Sequence, residues 1–425
     1  MQTPEFDALL GQCVHCGFCL ATCPTYVLWG QEMDSPRGRI YLMQLARDGA
    51  VGMTKEYVRH FDTCLGCMAC MPACPSGVDY GQLIETTRAE IAQKHPRSLG
   101  ERLFRQMLFA TLPYPGRMRA LRWPMSVYQR SGLQGLVRRS GILNVLPASL
   151  RSMEGLMPGV TGQEATPALT AATGGQARGR VGMLLGCVQR EFLSEVNAAT
   201  ARVLAAEGFE VVAPSEQPCC GALLTHAGEE AGAMAHARQM IDAFERAQVD
   251  AIVINAAGCG SAMKEYGRLL RHDAQYAARA AAFSAKCKDV TELLGAVEPR
   301  APRHALALRV AYQDACHLQH AQGVRAQPRA LLAQIPGVEL IDPPEAAICC
   351  GSAGIYNLVE PETAADLGER KAALIAAAKP DVVATGNPGC LLQLQSALAR
   401  RGTPIRVVHT MQVLDAAIRG VSLPC

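Results

Sequence analysis

The sequence predicts an α/β protein, with two repeated parallel α/β domains behind a small N-terminal domain of α-helical or α+β character. Three observations predict it. From about residue 180 the chain duplicates itself: Cys187, Cys219, Cys220 and Cys259 are answered by Cys316, Cys349, Cys350 and Cys390, at offsets of 129, 130, 130 and 131 residues. A register kept this closely marks internal duplication. Each copy alternates strand-sized apolar runs, such as VGMLL, AIVIN and DVVATG, with helical stretches, the pattern of a parallel sheet covered by helices. The first 96 residues instead carry two dense cysteine runs and read as a separate unit. The expected organisation is a cysteine-run domain over 1–96, a basic helical segment over 97–157, a linker over 158–179, and CCG-containing domains over 180–298 and 299–425.

The two runs are CVHCGFCLATCP at 13–24 and CLGCMACMPACP at 64–75. Both have the spacing C-x2-C-x2-C-x3-C-P, the ligand run of bacterial two-cluster [4Fe–4S] ferredoxins, in which the fourth cysteine ligates the other cluster. Three close cysteines in a tight loop cap three irons of a cubane, and the fourth is held away by the wider gap and the proline. The spacing therefore assigns Cys13, Cys16, Cys19 and Cys74 to one [4Fe–4S] cluster, and Cys64, Cys67, Cys70 and Cys23 to a second. Zinc ribbons use two well-separated C-x2-C pairs, unlike these runs. Eighteen cysteines behind an N-terminus with no basic or apolar leader pattern point to a reducing compartment, where thiols ligate metal rather than pair as disulfides.

Between the runs, DSPRGRIYLMQLARDG reads as a helix with Ser35 as N-cap, Pro36 in its first turn and Gly49 closing it, with Ile40, Met43 and Leu45 toward the core. Arg37 and Arg39 lie at its start, where the helix dipole does not favour a cation. They read foremost as a solvated turn, and alternatively as a contact to a cluster's negative charge or to an acidic partner. VDYGQLIETTRAEIAQKH reads as an amphipathic helix leaving the unit. Residues 97–151 hold ten Arg, one Glu and no Asp or Lys, interleaved with Leu, Met, Phe, Trp123 and Tyr128. Such a segment suits an anionic membrane surface or an acidic partner, or is a helical subdomain with a solvated basic face. No recognition motif accompanies the charge, and nucleic acid is not an expected partner. PGVTGQEATPALTAATGGQARG reads as a flexible surface linker.

In each repeat the cysteines follow apolar strands, where α/β domains place their sites. Cys187, Cys219, Cys220 and Cys259, and separately Cys316, Cys349, Cys350 and Cys390, are expected to converge. They would hold one or two further iron–sulfur centres, with a structural zinc or a redox dithiol as the alternative. His317 reads foremost as a hydrogen-bonding or capping residue, with a metal ligand as the alternative, and Cys287 and Cys425 as ordinary thiols.

The formal charge of +3 is unremarkable, and no apolar run approaches the ~18 residues of a membrane span. The expected location is cytoplasmic, with any membrane contact peripheral, on the inner face of the cytoplasmic membrane. The chain has no G-x-G-x-x-G, P-loop, H-E-x-x-H or nucleophile elbow. No catalytic residue and no substrate site are expected, and the chain reads as a one-electron carrier.

The double run followed by two C…CCG…C repeats resembles the cysteine-rich iron–sulfur subunits of membrane-linked dehydrogenases. CVHCGFCLATCPTY, SPRGRIYL and CPSGVDY are similar in wording and order to the family of glycolate oxidase iron–sulfur subunits. The resemblance covers nearly the whole chain and is least specific over 97–179. It implies FAD-containing dehydrogenase subunits that oxidise glycolate to glyoxylate, with this chain passing electrons toward an acceptor such as quinone. The same role for lactate, glycerol 3-phosphate, 2-hydroxyglutarate or a heterodisulfide is one alternative; a zinc-stabilised scaffold tethering flavin subunits is another. The chain departs from the heterodisulfide-reductase repeats, which end in C-x2-C: Ala262 and Gln393 stand at those last positions. That counts against a five-cysteine noncubane cluster and for a four-thiolate cluster or none.

Overall fold

The computed structural model describes residues 3–160, 164–403 and 405–423. Cys425 and residues 161–163 of the expected linker lie outside them.

The N-terminal unit is helical, with no strand among its described residues. Ser35 caps the helix Pro36–Arg47 by accepting from the Gly38 amide, and Gly49 follows it at φ 73°. The helix buries Ile40, Leu42 and Met43, whereas Leu45 is only half-buried. Leu42 therefore takes the core position expected of Leu45. These side chains meet Phe6, Leu10, Tyr57, Phe61, Leu83, Ile84 and Ile91 in one core. The last three come from the helix Tyr80–Lys94, started by Asp79, whose side chain accepts from the Gln82 amide. That helix runs through the core of the unit rather than leaving it.

Residues 99–155 form the helices Leu99–Thr111, Pro115–Arg130, Leu133–Arg139 and Ala148–Gly155. Leu99, Leu103, Trp123, Leu136 and Val145 are exposed, Val145 to 80%. Arg119 reaches across to Glu191 at 3.0 Å, and Arg138 pairs with Glu154 at 2.8 Å.

The repeats form two sheets. The first has strand order β1-β3-β2-β4-β5, made of Leu169–Thr170 (β1), Gly179–Met183 (β2), Phe209–Val212 (β3), Ala251–Ile254 (β4) and Cys287–Asp289 (β5). The second has order β7-β6-β8-β9, made of Leu308–Tyr312 (β6), Val338–Ile341 (β7), Val382–Thr385 (β8) and Arg406–His409 (β9). All pairings are parallel except β1 with β3, where Leu169 opposes Val212. The expected linker thus contributes an edge strand, because Leu169 and Thr170 find an unpaired strand edge despite their Gly- and Pro-rich surroundings. Each repeat also closes with a strand absent from the sequence reading, β5 or β9; the sulfur of Cys287 donates to the Phe283 carbonyl at 3.4 Å.

The repeats are joined as halves of one body. A single apolar core draws Val181, Met183, Val203 and Val211 from the first, and Val310, Leu332, Met411 and Leu414 from the second. The helix Ser194–Ala206 packs on Thr410–Arg419 of the other repeat, and Val290–Gly295 packs on Ala326–Ala333. These two contacts are equivalents under the duplication, so the repeats are related by an approximate two-fold. Arg202 and Asp415 pair across the joint at 2.7 Å.

His409 sits in that joint, 1% exposed. Its Nδ1 accepts from the Met411 amide, and its Nε2 donates to the Asn255 carbonyl at 2.9 Å. Burial lowers its pKa from 6.5 to about 4. The unfolded chain therefore binds a proton that the folded chain refuses between these values, so stability falls as pH drops from 6.5 toward 4 and levels off below. We expect a loss of up to about 3 kcal/mol from this group, read as a falling urea midpoint over that range. In His409→Gln the fall should be shallower by this contribution; an identical pH slope would contradict the assignment.

Candidate metal centres

The two N-terminal runs fold alike. The residue two after the first cysteine and the residue four after it are both left-handed: His15 (φ 52°) and Gly17 (φ 90°) in one run, Gly66 (φ 61°) and Met68 (φ 61°) in the other. This backbone curls each C-x2-C-x2-C stretch around a cavity. Cys13, Cys16 and Cys19 line one cavity together with Cys74 from the opposite run. Cys64, Cys67 and Cys70 line a second together with Cys23. After Cys23 the chain enters the helix Pro24–Trp29, with Pro24 in its first turn. Cys70 also borders the first cavity. Cys16 is exposed and Cys13, Cys19 and Cys74 are half-buried, whereas all four thiols of the second set are buried.

The donor chemistry of both cavities suits an iron–sulfur cluster. Four thiols surround a space rather than a point; among the described residues no three or more His, Cys, Asp or Glu side chains are grouped to hold a metal ion. Burial pushes the Cys67 and Cys70 thiols well up. Such thiols become good ligands only when positive charge at the site displaces their protons. Burial also opposes the Cys64 thiolate, yet the guanidinium groups of Arg39 and Arg88 bring its pKa below the usual value.

Arg39 corrects the expectation of a solvated turn. It is 1% exposed and borders the second cavity. It donates to the His60 carbonyl, to Thr25 Oγ1 at 3.3 Å and to Thr63 Oγ1 at 3.2 Å, and lies 3.5 Å from Asp34 Oδ1. Thr25 Oγ1 is in turn 3.2 Å from the Cys23 sulfur. Arg37 is paired with Glu32 at 2.6 Å and donates to the His15 carbonyl at 2.9 Å, bracing the first loop.

The repeats bring their cysteines together as expected. In the first, the Cys187 and Cys219 sulfurs are 3.5 Å apart, and Cys220 is hydrogen-bonded to Cys219 and Cys259. In the second, Cys316 and Cys349 are 4.0 Å apart, and Cys350 is hydrogen-bonded to Cys349 and Cys390. The glycine of each CCG takes a backbone conformation that favours glycine. Gly221 (φ 78°) and Gly351 (φ 90°) are left-handed, and a Cβ on Gly351 would lie 2.6 Å from the Ala364 carbonyl oxygen.

The sets are not equivalent. His317 Nδ1 lies 3.4 Å from the Cys316 sulfur, and buried Lys371 donates to the Glu345 carbonyl near Cys350. The corresponding positions in the first repeat are Val188 and Met240. His317 therefore touches a thiol and does not cap its helix, and its Nε2 is buried without a partner. Hydrogen bonding from Cys349, aided by His317, draws Cys316 well down; in the first repeat the Cys219 contact and burial push Cys187 well up. Cys67 of the N-terminal unit packs in one apolar cluster with Cys316 and Cys349, and Tyr356 of the second repeat donates to the Thr63 carbonyl at 3.1 Å. The buried N-terminal set thus abuts the second repeat's set. The first repeat is tied in by Arg88, which donates to the His226 carbonyl at 3.1 Å. Sequence spacing could not show these contacts; the unequal residues at 188 and 317, and at 240 and 371, were the available signal.

Comparison with known proteins agrees with this layout. Residues 12–78 match the 4Fe-4S dicluster domain, and 181–264 and 310–395 each match the cysteine-rich CCG domain. Residues 100–157 match the linker region of glycolate oxidase iron-sulfur subunits, so this segment is more specific than its sequence suggested. The chain is 43% identical over 413 residues to the probable glycolate oxidase iron-sulfur subunit of Bacillus subtilis, covering 95% of this chain and 92% of that protein. It is 38% identical over 422 residues to the glycolate oxidase iron-sulfur subunit of Escherichia coli, covering 97% and 95%. Lactate utilization protein A of Geobacillus kaustophilus is 31% identical over 238 residues, 56% of this chain and 99% of that protein.

Removing the Arg39 charge should stabilise the oxidised over the reduced form of a cluster at the second cavity, since reduction adds negative charge beside it. We expect Arg39→Gln to lower that centre's midpoint potential by on the order of 50–100 mV, measured by EPR-monitored redox titration, with the first centre moved much less. Equal shifts in both would show that Arg39 acts through the fold as a whole.

Proposed function

The chain belongs to the family of glycolate oxidase iron–sulfur subunits, and on that premise we propose that it is the electron-transfer subunit of a glycolate oxidase complex. In this reading FAD-bearing partner subunits oxidise glycolate to glyoxylate, and the electrons leave this chain for an acceptor such as quinone. Cys13, Cys16, Cys19 and Cys74 hold one [4Fe–4S] cluster, and Cys64, Cys67, Cys70 and Cys23 hold the other. When bound, such clusters store and release single electrons at potentials set by burial, charge and hydrogen bonds to sulfur.

The observation that carries the reading is the line of thiol sets: a first set half-buried with Cys16 exposed, a buried second set, then the second repeat. The exposed loop, with Phe18 69% exposed and Val14 beside it, is the contact surface for a flavin subunit. Arg39 holds positive charge at the second set, and Cys67 and Cys316 bring that set against the next. Cys316, Cys349, Cys350 and Cys390, with His317 and Lys371 near them, are the better prepared ligands for a further centre. Cys187, Cys219, Cys220 and Cys259 lack those neighbours. No helix among the described residues is long and apolar enough to cross a membrane. The exposed Leu99, Trp123, Leu136 and Val145, among exposed Arg102, Arg117, Arg138 and Arg139, suit peripheral contact with an anionic membrane on its cytoplasmic face. The lactate-utilization likeness supports a second substrate, but it covers only 56% of this chain, whereas the glycolate oxidase likenesses cover nearly all of it.

Crossed ligation gives a direct test. Cys74→Ala should remove the cluster of the first run and Cys23→Ala that of the second, each lowering iron by roughly four atoms per chain and erasing a different EPR signal. If Cys74→Ala erased the signal that Cys64→Ala erases, the crossed assignment would be wrong. In the assembled complex, anaerobic glycolate should reduce both signals; zinc in place of iron and labile sulfide would overturn the role.

A further inference from the structure

Both thiol sets of the repeats open onto one cavity of about 510 Å³, within the ~300–1,000 Å³ range of small-molecule sites. Its floor carries the thiols. Its walls come from the helices of the 100–157 segment, chiefly Met118, Leu121, Met125, Leu150, Met153 and Met157. Leu121 and Leu150 are partly exposed and form its rim; exposed Trp123 shares the helix of Leu121, and exposed Val145 lies in the turn just before the helix of Leu150. Flexible methionines in this number suit a flat apolar guest better than a fixed polar one. Two buried polar atoms among the lining residues have no partner: Gln189 Oε1 and His317 Nε2. Gln189 is 2% exposed, and its amide nitrogen is already committed to Asn197 and Asn255. A buried polar atom left unpaired is costly, and both belong to residues that line the cavity.

We propose that this cavity is the electron-acceptor site and binds a quinone, an inference resting on the electron-transfer role above. The guest must be apolar over most of its surface and carry a few oxygens near the thiol floor. A quinone ring with an alkyl tail has that form, the tail leaving between Leu121 and Leu150 toward the exposed apolar helices. The two unpaired atoms suit its change of state. A ring N–H of His317 donates to a quinone carbonyl, and the Gln189 carbonyl accepts from a quinol hydroxyl. The step balances. Glycolate releases two electrons and two protons as glyoxylate forms. The quinone takes two electrons, one at a time through this chain, and two protons from solvent, and becomes quinol. A lipid acyl chain would satisfy the walls and leave both polar atoms unpaired.

The test uses the full complex of this chain with its flavin subunits, reconstituted anaerobically, and a photoreactive azidoquinone with a short alkyl tail. Labelling should map to peptides containing residues 118–125, 150–158 or 187–192, and excess unlabelled quinone should reduce it at least tenfold. The double variant Leu121→Trp/Met153→Trp, which fills the cavity, should lose at least tenfold in labelling and in glycolate-driven quinone reduction. Its iron–sulfur EPR signals should still be reduced by glycolate. Labelling elsewhere, labelling displaced equally by phospholipid, or a filled cavity that reduces quinone at the wild-type rate would overturn the proposal. If glycolate fails to reduce the clusters of the unmodified complex, the electron-transfer reading falls, and the labelling pattern alone decides the cavity.

Discussion

Thiolates gathered away from water repel one another, and the protein answers this with a small number of buried cations and hydrogen-bond donors. Arg39 is the clearest case. A guanidinium 1% exposed is costly to bury unless its donors are matched, and here Thr25, Thr63, Asp34 and the His60 carbonyl match them. Those partners come from three segments, so the geometry of the second cavity and the packing of the N-terminal unit depend on the same contacts. In the second repeat His317 and Lys371 serve similarly.

The duplication sets the frame in which this charge acts. Two parallel sheets share one core and meet through equivalent helix pairs, so the cysteine-bearing ends of both face the same space. The last cysteine loops hold each other directly: the Ala257 amide donates to the Gly386 carbonyl at 3.1 Å, and the Gly258 amide to Asn387 Oδ1 at 3.2 Å. With the joint fixed, the copies differ at an edge, where the first adds the antiparallel β1, and in the side chains beside their thiols. One copy carries cations beside its thiols, and the other has Val188 and Met240 there.

Much of this was legible in the order of residues. Cysteine spacing is a short-range signal, and the loops that follow from it were readable, as were the capped helix at Ser35 and the strand-then-cysteine order of both repeats. What could not be read depends on contacts between distant segments. Arg39 looks solvated beside Pro36 and Gly38, because Thr63, which helps bury it, is 24 residues on. Leu169 and Thr170 look like linker until the edge of β3 is present to pair them. Leu42 and Leu45 are separated only by the angle at which their helix meets Phe61 and Leu83. The cavity under the Arg-rich helices needs three remote parts of the chain, and no local pattern announces it.

The exposure of Cys16, beside three half-buried partners, also sets the order in which the protein fails in air. Dioxygen and peroxide reach sulfur and iron by diffusion, and oxidation follows accessibility. The outer centre is the vulnerable one, while Cys64, Cys67, Cys70 and Cys23 are shielded by packing. Aerobic handling would therefore strip the outer set first and leave a coloured, folded protein that still holds its inner centre.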